Sequence, residues 1–166
     1  MTQLINFTLN GMPVCIPVEP EMTLLAALRD RAGLTSPKCG CNKGDCGACT
    51  VIMDGKAVKS CTVLAMTVEG RRIVTVDGLA RGEELHPLQR AFFELGAVQC
   101  GYCTPGMIMA ATAFLLENPQ PDELEIKTAL SGNLCRCGGY KKYVEAVLAV
   151  SRGDYGPLPE GCDLHV

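Results

Sequence analysis

The grouping of the cysteines constrains this chain more than any other feature. The 166 residues include 11 cysteines, and eight of them fall into two tight groups. The second group lies between Gln99 and Tyr140 and consists of two cysteine pairs, each just before an expected helix start. Four thiolates that converge in a fold make a metal site. Most of the remaining sequence is therefore interpreted as a frame around two such sites.

Metal binding is expected rather than disulfide bonding. The cysteine count is odd, and residues 1–6 carry no basic region, twin arginine or apolar signal block. A cytoplasmic location is therefore expected, and clustered cysteines in a reducing compartment usually bind metal. The net charge of −3 and the pI near 5.4 argue against a nucleic-acid or anionic-membrane surface. No apolar run approaches the roughly 18 residues of a membrane helix, so no membrane insertion is expected.

The first 80 residues are patterned as strands around one helix. Alternating apolar residues over 4–18, with Asn10-Gly11 between them, predict a β-hairpin. Thr23 is placed to cap a helix that runs through Arg31. Further strands are predicted over residues 50–53, 56–60 and 73–76. A small mixed sheet with a helix packed across it predicts the β-grasp arrangement.

The returning strand of the hairpin has two features of its own. Pro13 and Pro17 cannot donate hydrogen bonds to a neighbouring strand, so this strand is predicted at a sheet edge. Cys15 has no other cysteine close to it in sequence. It is interpreted as a small buried apolar residue rather than as a metal ligand.

Beyond residue 80 the pattern changes from strands to helices. Helix starts are predicted at Pro87, Pro105, Asp122 and just after Tyr140, with short links between the helices. The last helix is predicted to have Tyr143, Val144, Val147 and Leu148 on one side. Four short helices joined in this way predict a compact four-helix bundle. The predicted fold class is therefore α+β. The predicted divisions are residues 1–80, residues 81–152 and an extended tail over residues 153–166.

No catalytic residue is predicted on this chain. His86 precedes Pro87 at a helix start and is interpreted as structural, and His165 is expected to be solvated in the tail. No nucleophile–base pair and no phosphate-binding glycine loop are recognisable. The chain is therefore expected to hold metal rather than to bind a substrate.

The first cysteine group has the spacing of a plant-type [2Fe–2S] site. Cys41, Cys46 and Cys49 follow the pattern C-x4-C-x2-C, and a predicted hairpin can return Cys61 to them. Such a cluster is anionic with its thiolates, and the surrounding glycines can aim backbone amides at the sulfurs. Structural zinc, the alternative, typically uses C-x2–4-C pairs separated by a spacer. Cys39 is interpreted as a non-ligand because Cys41 already completes the spacing.

The second group is less specific by spacing alone. Cys100 and Cys103 form a C-x2-C pair, and Cys135 and Cys137 form a C-x-C pair further along the chain. Zinc sites and redox dithiols share such pairs. Both pairs precede predicted helix starts, whose free N–H groups suit an anionic cluster. Spacing leaves zinc and a [2Fe–2S] cluster both open at this site.

Four longer segments carry a resemblance to a known family. They are Gly40-Cys41-x4-Cys46-Gly47-Ala48-Cys49-Thr50-Val51, His86-Pro87-Leu88-Gln89, Gln99-Cys100-Gly101-Tyr102-Cys103-Thr104-Pro105-Gly106-Met107 and Gly132-Asn133-Leu134-Cys135-Arg136-Cys137-x-Gly-Tyr140. Over roughly residues 4–150 the chain is similar to the small iron–sulfur subunits of the molybdenum hydroxylases, the family of xanthine oxidase, aldehyde oxidase and CO dehydrogenase. Gly138 departs from the pattern, because a threonine usually follows the last ligand. That departure removes no ligand.

The resemblance implies a plant-type ferredoxin domain joined to a helical domain, each with one [2Fe–2S] cluster. The ligands of the cluster nearer FAD would be Cys41, Cys46, Cys49 and Cys61. The ligands of the cluster nearer molybdenum would be Cys100, Cys103, Cys135 and Cys137. Gln99 and Cys137 also resemble positions that touch the pterin. The alternative for Gln99 is a structural role in capping a nearby helix.

The resemblance also implies partners and a reaction. A large subunit would bind molybdenum with a pterin, often a cytosine dinucleotide in bacteria, and a medium subunit would bind FAD. The complex would be a heterotrimer or a dimer of heterotrimers that hydroxylates an aromatic, N-heterocyclic or aldehyde substrate with oxygen from water. Electrons would pass one at a time from molybdenum through the two clusters to the flavin. The alternatives are CO oxidation, reductive chemistry on aromatic thioesters, and a free-standing iron–sulfur carrier or sensor.

Overall fold

The computed structural model of the chain describes residues 1–158. Most of the predicted tail, with Cys162 and His165, lies outside the described residues. Its first part does not extend away from the molecule, because Tyr155 and Leu158 pack against the helical core. None of the helices within residues 1–158 is long and apolar enough to cross a membrane.

The N-terminal part is a mixed five-stranded sheet. Its strands are β1 (Gln3–Leu9), β2 (Met12–Val18), β3 (Thr50–Met53), β4 (Lys56–Lys59) and β5 (Arg72–Val74). Their order across the sheet is β2-β1-β5-β3-β4, in which β1 and β5 are parallel and the other neighbours are antiparallel. A short helix, α1 (Leu24–Ala26), continues as a π-helix over Ala27–Arg31. With the helices described below, this sheet confirms the predicted α+β class.

The hairpin of β1 and β2 follows the predicted pattern except at one residue. Asn10 and Gly11 have positive φ angles of 51° and 79°, as a type I′ turn requires. β2 lies at the edge of the sheet, where its two prolines were expected. The prediction of a buried Cys15 is wrong, because this residue is exposed. Side chains alternate along β2, and Ile16 next to Cys15 is the one that faces the core.

The C-terminal part contains four helices. They are α2 (Pro87–Glu94), α3 (Thr104–Glu117), α4 (Glu123–Leu130) and α5 (Tyr140–Ser151). α3 lies at the centre and buries nine of its residues, while α2 and α4 each pack against α5. All four helices begin within a residue or so of their predicted starts. Their arrangement as a four-helix bundle stays a prediction.

The sheet lies between two cores. Val51 and Ile73 belong to the core that contains α1, whereas their neighbours Ile52 and Val74 belong to the core formed by the four helices. Because successive side chains of a strand point to opposite faces, α1 covers one face of the sheet and the helical part covers the other. α3 accordingly packs directly against β3. This contact brings the two cysteine groups toward each other.

Candidate metal centres

The first cysteine group lies in the loop before β3 and in the turn after β4. Cys41 and Cys46 are half-buried in the loop, while Cys49 just before β3 and Cys61 just after β4 are buried. The hairpin of β3 and β4 brings its two ends together. Ser60 fixes this return, because its N–H and Oγ both donate to the Cys49 carbonyl, at 3.3 and 2.7 Å.

The four thiols of this group form two pairs. The backbone N–H of Cys46 donates to Cys41 Sγ at 3.4 Å, and the two thiols interact with each other. Cys49 and Cys61 lie together in a small buried cluster with Leu25. Burial and the adjacent Cys49 thiol raise the pKa of Cys61. The group therefore has an outward pair and a sheltered pair.

Backbone amides make the Cys41 thiol favourable for negative charge. They lower the pKa of Cys41 to about 6 by hydrogen bonds from Cys46, Lys43 and Asp45. Gly44, with a φ angle of 88°, allows the loop to turn in this way at little steric cost. Lys43 itself points to solvent, where it pairs with Asp45 at 3.4 Å. The loop is thus a cradle of N–H groups, as an anionic cluster requires.

The second cysteine group lies where α3 and α5 begin. Cys103 occupies the N-cap position of α3, and Cys135 and Cys137 lie in the link that leads to α5. Cys135 is buried and Cys103 half-buried, whereas Cys100 and Cys137 are exposed. The thiols interact as Cys103 with Cys135 and as Cys100 with Cys137. The second group therefore repeats the division into a sheltered pair and an outward pair.

A tyrosine contacts both sulfurs of this sheltered pair. Tyr143 Oη donates to Cys135 Sγ at 3.0 Å and lies 3.3 Å from Cys103 Sγ. Burial raises the pKa of Cys103. Burial acts in the same direction on Cys135, but hydrogen bonds from Tyr143 and from the Gly139 backbone overcome it and lower the pKa of Cys135 to about 7. The arrangement favours the thiolate at Cys135.

Sequence reasoning assigned Tyr143 only to the packed face of the last helix. That assignment is correct as far as it goes, because the residue is buried and its ring stacks on Phe92 at 5.5 Å between centroids. Its hydroxyl group was the missed feature. The available signal was a tyrosine six residues after Cys137, in the first turn of α5 and on the side that faces the core.

The two groups are joined by hydrogen bonds next to their ligands. The backbone N–H of Leu134 donates to the Cys46 carbonyl at 2.9 Å, and Asn133 Nδ2 donates to the Gly47 carbonyl at 2.9 Å. A third bond runs from Tyr102 Oη to the Cys39 carbonyl at 2.8 Å. These bonds need very close approach of the two backbones. A Cβ on Gly47 would lie 2.5 Å from the Gly132 carbonyl oxygen.

Of the remaining predicted residues, Gln99 and Cys39 are at the surface, whereas His86 is buried. Gln99 is exposed and makes no hydrogen bond within residues 1–158, so the structure does not bear out its alternative role as a helix cap. Cys39 is also exposed, and its thiol makes no hydrogen bond within residues 1–158. His86 is structural, because its Nδ1 accepts a hydrogen bond from Leu88 N at 3.2 Å and caps α2.

Both groups fit the thiolate chemistry of a [2Fe–2S] cluster. Each offers four cysteines in two interacting pairs, and such a cluster takes two thiolates at each iron. Each group also has hydrogen-bond donors directed at a sulfur. No three His, Cys, Asp or Glu side chains in residues 1–158 surround a single point closely enough to hold one metal ion.

Two known domain families match this chain, and each match contains one of the two cysteine groups. Residues 7–80 match the 2Fe-2S iron-sulfur cluster binding domain, and residues 75–148 match the [2Fe-2S] binding domain. The chain is 52% identical over 143 residues to the nicotinate dehydrogenase small FeS subunit of Eubacterium barkeri, which covers 86% of this chain and 91% of that subunit.

The chain is also similar in three dimensions to solved structures of oxidoreductases. The chain is similar to a chain of quinoline 2-oxidoreductase from Pseudomonas putida 86, with a TM-score of 0.89, 45% identity and coverage of 92% and 95% of the two chains. It is also similar to part of the aldehyde oxidoreductase from Desulfovibrio desulfuricans, with a TM-score of 0.86 and 42% identity. There the match covers 92% of this chain but 17% of the other.

Proposed function

The chain belongs to the small iron–sulfur subunits of the molybdenum hydroxylase family, and we propose that it is the electron-transfer subunit of a heteromeric oxidoreductase. It would accept electrons from a molybdenum–pterin centre on a large subunit. It would deliver them to FAD on a medium subunit or to another acceptor.

We propose that each cysteine group holds one [2Fe–2S] cluster. The first cluster would be held within residues 1–80 by Cys41, Cys46, Cys49 and Cys61. The second would be held within residues 81–152 by Cys100, Cys103, Cys135 and Cys137. Each cluster, when bound, takes up and returns a single electron. The surrounding residues would stabilise the negative charge of the thiolates with backbone amides in the first group and with Tyr143 in the second.

The hydrogen bond between the two groups is the observation that carries this proposal. Leu134 directly precedes Cys135, and its N–H donates to the carbonyl of Cys46 at 2.9 Å. One ligand of each group is thereby connected through backbone bonds and a single hydrogen bond. Buried Asn133 clamps the same contact, because its side chain bonds the carbonyl of Gly47. Such a fixed contact between the two groups suits a chain that passes electrons internally.

The exposure of the second group supports its contact with the large subunit. Cys100, Cys137 and Gln99 all lie at the surface, and exposed apolar side chains, including Tyr102 and Leu134, lie close to them in sequence. A surface of this kind suits a permanent partner, and the free amide of Gln99 is available to a polar cofactor such as a pterin. The first group would then face the FAD subunit.

The assembly would be a heterotrimer or a dimer of heterotrimers in the cytoplasm. The aldehyde oxidoreductase supports lasting association, because the region similar to this chain is part of one longer chain there. The relatives named for nicotinate and quinoline favour an N-heterocyclic aromatic substrate, hydroxylated with oxygen from water. The substrate site would lie on the large subunit.

Metal analysis of the complex purified under native conditions tests this function. We expect about four irons and four acid-labile sulfides per small chain, with two distinct EPR signals after dithionite reduction. We also expect a molybdenum-containing subunit to copurify with the chain. Zinc without sulfide, or a chain that purifies alone with full iron content, would contradict the proposal.

A further inference from the structure

Tyr143 carries a polar group into the core and directs it at sulfur. The side chain is 2% exposed. Its hydroxyl group donates to Cys135 Sγ at 3.0 Å and lies 3.3 Å from Cys103 Sγ, so it contacts both thiols of the sheltered pair. Among residues 1–158, no side-chain hydroxyl group bonds a sulfur of the first cysteine group, where the recorded donor is a backbone amide.

The direction of this hydrogen bond follows from the chemistry of the ligands. A metal-bound thiolate has no proton to give, so the phenol can act only as the donor. A hydrogen bond to a thiolate stabilises the more negative redox state more strongly, and therefore raises the reduction potential.

Packing fixes the hydroxyl group in place. The ring stacks on Phe92 with an interplanar angle of 13° and meets the edge of Tyr140 at 85°. Gly139 leaves room for the hydroxyl group, because a Cβ there would lie 2.9 Å from Tyr143 Oη. Ring packing therefore fixes the position of the hydroxyl group, and the lack of a side chain at Gly139 leaves the space that it occupies.

We infer that Tyr143 is a positioning residue that raises the reduction potential of the second cluster by its hydrogen bond to Cys135. This inference rests on the proposed function, since it presupposes a [2Fe–2S] cluster at that group. It makes the second cluster a stronger electron acceptor than its ligands alone would make it. The second group thus has a side-chain donor, which a single substitution can remove. Among residues 1–158 the first group has no side-chain hydroxyl donor of this kind.

A redox titration of the native complex, followed by EPR, tests the inference. Tyr143→Phe keeps the ring and its stacking but removes the donor. We expect the equilibrium constant for reduction of the second cluster to fall about tenfold, equivalent to about 59 mV for one electron, with the first cluster unchanged. Tyr102→Phe is the matched control, because its hydroxyl group bonds a backbone carbonyl instead of a sulfur. Its second cluster should keep the wild-type potential.

Gly139→Ala provides a second variant, which displaces the hydroxyl group without deleting it. The potential of the second cluster should shift in the same direction as in Tyr143→Phe. Electron–nuclear double resonance after exchange into D2O should also detect an exchangeable proton at the second cluster of the wild type, and its loss in Tyr143→Phe.

The outcomes separate this inference from the proposed function. Two intact clusters with wild-type potentials in both variants would overturn the role of Tyr143 alone. A wild-type complex without iron and sulfide would overturn the proposed function and this inference together.

Discussion

In the first cysteine group, the outward thiol of Cys41 is surrounded by backbone N–H groups of a glycine-rich loop. In the second group, the sheltered thiol of Cys135 receives a side-chain hydrogen bond from Tyr143 as well as backbone contacts. Both groups nevertheless divide their four thiols into an outward pair and a sheltered pair. The same requirement, stabilisation of anionic sulfur, is met once by loop conformation and once by helix packing.

The difference affects how each site can change. Every residue except proline supplies a backbone N–H. The cradle around Cys41 therefore depends on the path of the loop and on Gly44. The donor to Cys135 is a single hydroxyl group that one substitution removes while the ring remains. The second site can therefore be tuned by side chains without a change of backbone, whereas the first site is fixed by its loop.

Loss of a ligand should have the largest effect and should separate the two groups. Cys46→Ser is expected to abolish the first EPR signal and to leave the second largely intact, because the two groups share no cysteine. EPR of the dithionite-reduced complex measures both signals. Loss of both signals together would contradict two independent sites.

The reciprocal substitution, in the second group, tests the path of electron transfer. Cys135→Ser should abolish the second signal, keep the first, and greatly slow turnover with the natural acceptor, because electrons would enter through the second cluster. Steady-state kinetics of the complex measure the effect. Unchanged turnover would contradict the assignment of Cys135 as a ligand on the path.

Acid should destabilise the helical part before the sheet. Burial lowers the pKa of His86 from 6.5 to about 4. Its Nε2 is buried without a partner. Above pH 6.5 the residue is neutral in both the folded and the unfolded state. As the pH falls from 6.5 to about 4, only the unfolded state binds the proton, so stability falls by at most about 3 kcal/mol.

His86→Asn should flatten this pH dependence, because asparagine caps a helix without titrating in this range. Urea denaturation of the native complex between pH 7 and pH 4 provides the measurement. In the sheet, hydrogen bonds from Arg72 N and from Arg71 lower the pKa of Asp54. The contribution of Asp54 is therefore lost only at lower pH. An equal loss of stability in His86→Asn and the wild type would contradict the role of His86.

The contact between the two groups can be tested at Gly106. Helix propensity alone favours Gly→Ala by about 1 kcal/mol. A Cβ on Gly106 would instead collide with the Gly47 carbonyl and the Ala48 backbone. We therefore expect Gly106→Ala to destabilise the protein by about 1–3 kcal/mol in urea denaturation.

Gly132→Ala is the matched control for this contact. The nearest atom to its added Cβ would be Lys59 Nζ at 3.6 Å, an ordinary contact distance. We expect little change in stability. A stabilised Gly106→Ala variant would mean that the two groups are less tightly packed than the hydrogen bonds between them indicate.

The smallest expected effects on stability concern two surface carboxylates, Asp54 in the N-terminal part and Glu123 in the C-terminal part. Asp54 Oδ1 accepts from Arg72 N at 2.9 Å, and the residue holds a φ angle of 48°. Asp54→Ala should cost about 1–2 kcal/mol, because it removes an acceptor for a backbone N–H and places alanine in a left-handed conformation. Glu123→Ala breaks only the exposed pair with Lys127 and should leave the urea midpoint nearly unchanged. Equal losses of stability in Asp54→Ala and Glu123→Ala would contradict the larger contribution expected of Asp54.

Much of the fold and of the site could be predicted from the sequence, because the signals are local. The period of two in the hairpin, the Asn10-Gly11 turn and the helix starts at Pro87 and Pro105 depend on residues close together in the chain. The cysteine spacings are equally local, and together with the longer segments around them they carried the resemblance that implied the two ligand sets. Local alternation along β2 also pointed Cys15 outward, although it was interpreted as buried.

The relations between the two parts were decided only by the tertiary structure. The bond from Leu134 to Cys46, the close approach of Gly106 to Gly47 and the placement of α1 and α3 on opposite faces of the sheet join segments far apart in sequence. The contact of Tyr143 with Cys135 depends on how α5 is rotated against α2 and α3. Spacing specifies which residues can be ligands. Packing specifies which other groups reach their sulfurs, because that depends on how distant elements fit together.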